Sequence, residues 1–125
     1  MKPRILVADD EAPIANVVAM KLRNAGMDVT VALDGQEAYE LALAQRPDFM
    51  ITDLQMPGMN GLELCARLTA ELEGRIPTIL LTAKGFEINE AAIVNLPIRR
   101  IMAKPFSPRE LLARVQEAIG MSVVP

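Results

Sequence analysis

Four apolar stretches of this chain end at residues that can do chemistry. Ile5-Leu6-Val7-Ala8 runs into Asp9-Asp10, and Phe49-Met50-Ile51-Thr52 runs into Asp53. Ile79-Leu80-Leu81 ends at Thr82-Ala83, and Ile101-Met102-Ala103 ends at Lys104-Pro105. Read as strands of one sheet, they bring three carboxylates, a hydroxyl and an ammonium to a single edge, where open α/β sheets place their ligands. Asp9 and Asp10 are too close in sequence to be the spaced acid and base of a glycosidase. Carboxylates so crowded repel one another unless a cation sits among them. Mg²⁺ suits such a place, because it takes oxygen ligands, accepts few protein carboxylates and keeps waters for phosphate. A carboxylate beside the ion can attack a phosphoryl group and become an aspartyl phosphate. Lys104 can neutralise the transferring oxygens, and the Thr82 hydroxyl can donate to one of them.

Composition narrows the class. A chain of 125 residues makes one domain and can bury a core without staples. Hydrophobic residues make up 51%, yet Tyr39, Phe49, Phe86 and Phe106 are the only aromatics, so the core is aliphatic. The single cysteine, Cys65, rules out an internal disulfide, fits a reducing compartment and reads as a small buried hydrophobe. The lack of histidine excludes a catalytic imidazole and His-ligated zinc. A net charge of −3 leaves no nucleic-acid footprint. Asp9 cuts the first apolar segment too short for a signal peptide, and no other stretch approaches membrane-spanning length. The expectation is a cytoplasmic domain over 1–125, with its core at 4–119 and a tail at 120–125, and no direct nucleic-acid or membrane partner.

The elements that must position these residues alternate in period. After Asp10, Ile14, Val17, Val18, Leu22 and Ala25 recur at helical spacing up to Gly26. Val29 and Val31 alternate with polar residues, as on an edge strand. Asp34 caps a second helix with Ala38, Leu41 and Ala42 inward, closed by Pro47. A third helix carries Leu64, Cys65, Leu68 and Leu72 and stops near Gly74. The thinnest stripe, Phe86, Ile93 and Val94, marks a fourth helix within 86–95. Ser107 caps the last, with Pro108 in its first turn and Leu111, Leu112, Val115 and Ile119 inward. Strict alternation predicts an α/β fold, a doubly wound five-stranded parallel sheet of order 2-1-3-4-5 with helices on both faces. Its switch point falls between strands one and three, which end at Asp10 and Asp53.

Together, Asp9-Asp10-Glu11, Asp53-Leu-Gln-Met-Pro-Gly-Met-Asn-Gly61, Thr82-Ala83-Lys84 and Lys104-Pro105-Phe106 resemble the receiver domain of bacterial two-component response regulators over residues 4–119. The resemblance implies a flavodoxin-like receiver fold and a phosphorylation-dependent switch rather than an enzyme acting on others. Asp53 would take a phosphoryl group from a sensor histidine kinase or a histidine phosphotransfer protein. Asp9 and Asp10 would hold Mg²⁺, with Asp10 and Asp53 favoured as direct ligands alongside the main-chain carbonyl of Gln55. Lys104 would contact the phosphoryl oxygens, Thr82-Ala83 would move toward them, and Pro105 would follow a cis peptide bond. Gln55 and Lys84, two residues beyond Asp53 and Thr82, would flank the path of an attacking water. A face built from the fourth helix, the fifth strand and the fifth helix would meet a downstream protein.

This chain departs from its relatives ahead of Lys104. Ile101 stands at a commonly aromatic switch position, and Arg99 and Arg100 stand where acidic or small residues are usual. With Arg109 and Arg114 on the last helix, they would set cation against cation in a symmetric dimer, so an acidic partner is expected instead. Three rivals differ in sequence. A haloacid-dehalogenase-type phosphatase needs a second aspartate where Gln55 stands. A flavodoxin-like cofactor binder needs a Gly/Ser/Thr-rich phosphate loop where Asp9-Asp10-Glu11-Ala12-Pro13 stands. A pseudo-receiver would keep the fold without phosphorylation.

Overall fold

The computed structural model describes residues 2–83 and 88–120, so Lys84, Phe86 and the tail beyond Gly120 lie outside the described residues. Five strands and five helices alternate: β1 (Arg4–Ala8), α1 (Ala12–Asn24), β2 (Asp28–Ala32), α2 (Gly35–Gln45), β3 (Phe49–Asp53), α3 (Gly61–Glu71), β4 (Thr78–Ala83), α4 (Glu90–Ile93), β5 (Ile98–Lys104) and α5 (Pro108–Ile119). All pairings are parallel and the order is β2-β1-β3-β4-β5, as the alternation predicts.

Strand pleating divides the core in two. Ile5, Val7, Phe49, Ile51, Ile79 and Leu81 face Val18, Ala19 and Leu22 of α1 and Leu111 and Val115 of α5. Leu6, Ala8 and Met50 face Ala38 and Ala42 of α2 and Leu64, Cys65 and Leu68 of α3. Cys65 is buried, and burial pushes its thiol up to about 11 against a hydrogen bond to Thr78. The helix starts are fixed locally. Asp34 Oδ1 accepts from Glu37 N at 2.7 Å, and Ser107 Oγ accepts from Glu110 N at 3.3 Å. Asn60 and Glu63 form a reciprocal capping box on α3, inside a stretch that reads in sequence only as a turn.

Three sequence expectations shift. Val17 is 53% exposed rather than inward, because α1 buries Ala15, Val18, Ala19 and Leu22 and leaves Val17 and Met20 on its outer flank. The described part of the fourth helix is only the four residues Glu90–Ile93, none of them buried. The fifth strand begins at Ile98, not Ile101. Thr78 pairs with Ile98 but Ile79 pairs with Arg100, so the register shifts by one residue there. Arg99 is the extra residue of a bulge, which lets Ile98 join the α3-side core while Met102 joins the α5-side core.

The turn between β3 and α3 lies against the start of α2. A Cβ on Gly35 would come within 2.1 Å of the Met59 carbonyl oxygen. Gly→Ala inside a helix normally gains about 1 kcal/mol. Here Gly35→Ala should instead destabilise by about 1–3 kcal/mol through overpacking, read as a lower urea midpoint at unchanged m.

Candidate functional site

The register delivers the reactive residues to one edge. Ala8 pairs with Thr52, so Asp9 and Asp53 come off the sheet side by side. Asp53 pairs with Leu81, and Ala83 with Lys104. The central position of β1 and β3 makes this edge a buried one. Asp9 is fully buried and Asp53 only 5% exposed, whereas Asp10 is exposed. The start of α3 comes close beneath Asp53. A Cβ on Gly61 would lie 2.5 Å from the Asp53 carbonyl oxygen, and Gly61 N donates to Leu54 O at 2.9 Å.

Lys104 stands at the centre of the cluster. Its Nζ lies 2.8 Å from Glu11 Oε1, 3.0 Å from Asp9 Oδ2 and 3.2 Å from Asp53 Oδ2. Desolvation works against its charge, but the hydrogen bond it donates to Glu11 and the charges of Asp9 and Asp53 outweigh it and hold the ammonium well above its ordinary pKa. Asp9 is anchored twice more: its N donates to Ala32 O at 3.1 Å and its Oδ1 accepts from Glu11 N at 2.9 Å. Asp9 Oδ2 meets Lys104 at ion-pair distance without hydrogen-bond geometry, a buried oxygen with no hydrogen-bonded partner. Asp53 has its pKa raised, first by burial, then by the charge of Asp9, against the pull of Lys104. Thr82 is buried, but its hydroxyl donates to Ala83 O at 2.9 Å rather than into the cluster. The Lys104–Pro105 peptide is cis.

Two open clefts flank these residues. Asp10 and Gln55 line one of about 590 Å³ with Met56, Asn60 and Asn89. Glu11 and Lys104 line the other, about 580 Å³ and mostly apolar, with Pro13, Val17, Phe106 and Pro108. The cluster therefore opens to solvent on two sides. Glu11 is the site residue to which sequence reasoning gave no role. The available signal was its place next to two acids at a strand end, but only the fold shows that it reaches Lys104.

The donor set fits a hard divalent cation. One carboxylate oxygen each from Asp9, Asp10, Glu11 and Asp53 can be chosen so that all lie within 4.8 Å of one another. Opposite oxygens around Mg²⁺ stand roughly 4.2 Å apart, so a small contraction suffices. The unpartnered Asp9 oxygen and the surplus of carboxylate over ammonium supply the need for one.

A doubly wound parallel sheet with buried aspartates and a lysine at its switch-point edge defines an α/β domain with a charged ligand site in the crevice between β1 and β3. The response regulator receiver domain family matches residues 5–116, and the chain belongs to it. The receiver domain of the Francisella response regulator 1452 is 33% identical with a TM-score of 0.85, covering 95% of this chain and 98% of that one. A putative response regulator from Chloroflexus aurantiacus is 32% identical, TM-score 0.85, covering 96% and 99%. The chemotaxis response regulator CheY4 of Vibrio cholerae is 29% identical, TM-score 0.81, covering 94% and 98%. The chain is thus a two-component receiver domain, and among the described residues no helix is long and apolar enough to cross a membrane.

An acid whose pKa is raised on folding binds its proton more tightly folded than unfolded. Its folding free energy therefore weakens as pH rises from the ordinary carboxylate range through the folded value, and the penalty is complete above it. Without divalent cation, Asp53→Asn should raise Tm by several degrees at neutral pH. The gain should shrink as the pH falls toward the ordinary carboxylate pKa, which thermal scans across that range in chelator would check.

Proposed function

We propose that Asp53 is the phosphoacceptor of a two-component switch. The observation that carries this reading is the Asp53 carboxylate at the buried end of β3, 3.2 Å from an ammonium held in place by Asp9 and Glu11. An Asp53 carboxylate oxygen attacks the phosphorus of the donor. The new P–O bond forms as the bond to the leaving group breaks, an imidazole nitrogen of a phosphohistidine or the acetate oxygen of acetyl phosphate. Lys104 neutralises the oxygens of the transferred group, and Thr82, only one strand away, turns its hydroxyl toward them from its resting bond to Ala83. Asp9, Asp10 and Asp53, with the Gln55 carbonyl, are the residues that would hold Mg²⁺. The ion offsets charge on the phosphoryl oxygens when bound.

The donor is a histidine kinase or histidine phosphotransfer protein, and the domain catalyses only its own phosphorylation and dephosphorylation. Incubation with acetyl phosphate and Mg²⁺ should label the chain once. Asp53→Asn or excess chelator should abolish the label, and Asp10→Ala should weaken Mg²⁺ binding more than Asp9→Ala. Label surviving in Asp53→Asn would refute the assignment. An intact chain that takes no phosphate from either class of donor would be a pseudo-receiver.

The downstream partner would meet the sheet edge at β5. Arg99 and Arg100 are exposed, and neither forms an ion pair among the described residues. Ile101 is 39% exposed and Val94 74%. Of the α5 cations, Arg109 is exposed while Arg114 is tied to Glu117 at 3.4 Å. Exposed arginines and the exposed Ile101 on one strand suit a partner carrying acidic and aliphatic side chains, and oppose self-association through this face. Sedimentation of the beryllofluoride-treated protein should show a monomer. A tight dimer through β5 that is unchanged by Arg99→Asp and Arg100→Asp would refute the charge argument.

A further inference from the structure

An ammonium has three N–H donors and no more. Lys104 already faces three carboxylates, at 2.8 Å to Glu11, 3.0 Å to Asp9 and 3.2 Å to Asp53. Two of these contacts are hydrogen bonds, to Glu11 and Asp53, and the third is an ion pair with Asp9, so a phosphoryl oxygen that comes to Lys104 competes with carboxylates already there. Asp9 cannot leave, since it is fully buried, with its backbone bonded to Ala32 O and its Oδ1 bonded to Glu11 N. Asp53 is the residue that carries the incoming group. Glu11 is the remaining partner, and its side chain is 57% exposed on the wall of the apolar cleft, free to turn into water. It also makes the shortest of the three contacts.

From this competition we infer that Glu11 is a latch on Lys104: it holds the ammonium in the resting protein, and its departure is a step on the way to phosphoryl capture. Glu11 is then a positioning residue acting through Lys104, and it sets the rate at which free anionic phosphodonors are used. The inference rests on the phosphoacceptor reading of Asp53. A charged carboxylate is a stronger acceptor for an ammonium than a neutral amide, so Glu11→Gln loosens the latch without changing side-chain shape. Glu11 is also the N-cap position of α1 but makes no side-chain cap bond, so the substitution takes no cap away from the helix.

The test compares wild type, Glu11→Gln and Glu90→Gln. The last removes an exposed carboxylate that forms no ion pair among the described residues, and so controls for net charge. With acetyl phosphate and Mg²⁺, Glu11→Gln should be labelled 3–10 times faster than wild type, and Glu90→Gln within twofold of it. In the metal-free protein, ¹⁵N NMR should show a slowly exchanging Lys104 ammonium in wild type that broadens or shifts in Glu11→Gln alone. An unchanged or slower rate in Glu11→Gln, an equal gain in Glu90→Gln, or an identical Lys104 signal in both proteins would overturn the latch. If wild type takes no label at all, the phosphoacceptor reading falls and the latch falls with it. Labelling of wild type with no effect of Glu11→Gln removes the latch alone.

Discussion

Everything at the working edge of this domain depends on one cation among too many anions. Lys104 meets Asp9, Glu11 and Asp53 within 3.2 Å, and Asp10 stands close enough to join them. A buried ion cluster is tolerable only when each charge finds partners, because the desolvation of a carboxylate costs several kcal/mol. The sheet supplies those partners through register. Parallel strands in the order β2-β1-β3-β4-β5 put Asp9 beside Asp53, with Lys104 across β4 and two residues further along β5, from where its long side chain reaches both carboxylates. A slip of one residue in β5 would turn Lys104 to the other face of the sheet. The bulge at Arg99 matters for that reason: it absorbs the extra residue ahead of the site and leaves the pairing from Ile79 through Ala83 in step.

The packing on either side of the site is unequal, and the inequality follows from helix length and composition. Toward β2 and β3 the domain is closed by α1, α2 and α3, with Arg67 stacked 4.2 Å over the Tyr39 ring to join α2 to α3. Toward β5 the described α4 has four residues and no buried side chain, and β5 shows three consecutive exposed residues, Arg99 to Ile101. Regions with few buried apolar contacts open at low free energy. The acidic cluster is thus built between the buried strands β1, β3 and β4, which carry Asp9, Asp53 and Thr82, and the partly exposed edge strand β5, which carries Lys104.

Sequence made the strand ends legible because each aliphatic run stops at a polar residue, and a parallel sheet aligns such stops by construction. The caps at Asp34 and Ser107 were legible for a similar reason, as their bonds are local. What escaped depends on contacts distant in sequence. The Glu11 carboxylate belongs to the site only because Lys104, 93 residues away, reaches it. The start of β5 was hidden because a bulged edge strand exposes Arg99, Arg100 and Ile101, which breaks the apolar pattern that marks a strand. Val17 looked inward because it shares the helical period of Ile14 and Val18. The interior of α1 is in fact filled by the smaller Ala15 and Ala19, which let the helix approach the sheet closely and rotate Val17 outward. Periodicity finds a helix, but it does not fix which edge of the apolar stripe is covered.

A neutral residue in place of Asp53 would ease the fold, whereas loss of Lys104 would leave buried carboxylates unpaired, and the frustration retained at Asp53 is informative. Burial and the charge of Asp9 both disfavour ionised Asp53, and Lys104 corrects this only in part, since its pKa stays raised. Anything that binds the folded cluster and not the unfolded chain recovers that energy by mass action. A divalent cation among the carboxylates or a phosphoryl group drawn to Lys104 therefore acts on stability and on conformation through the same few atoms. The cluster is the least settled part of an otherwise well-packed sheet. For that reason a ligand there can shift the balance of the fold, while the same ligand placed against the α1–α5 core would find nothing to relieve.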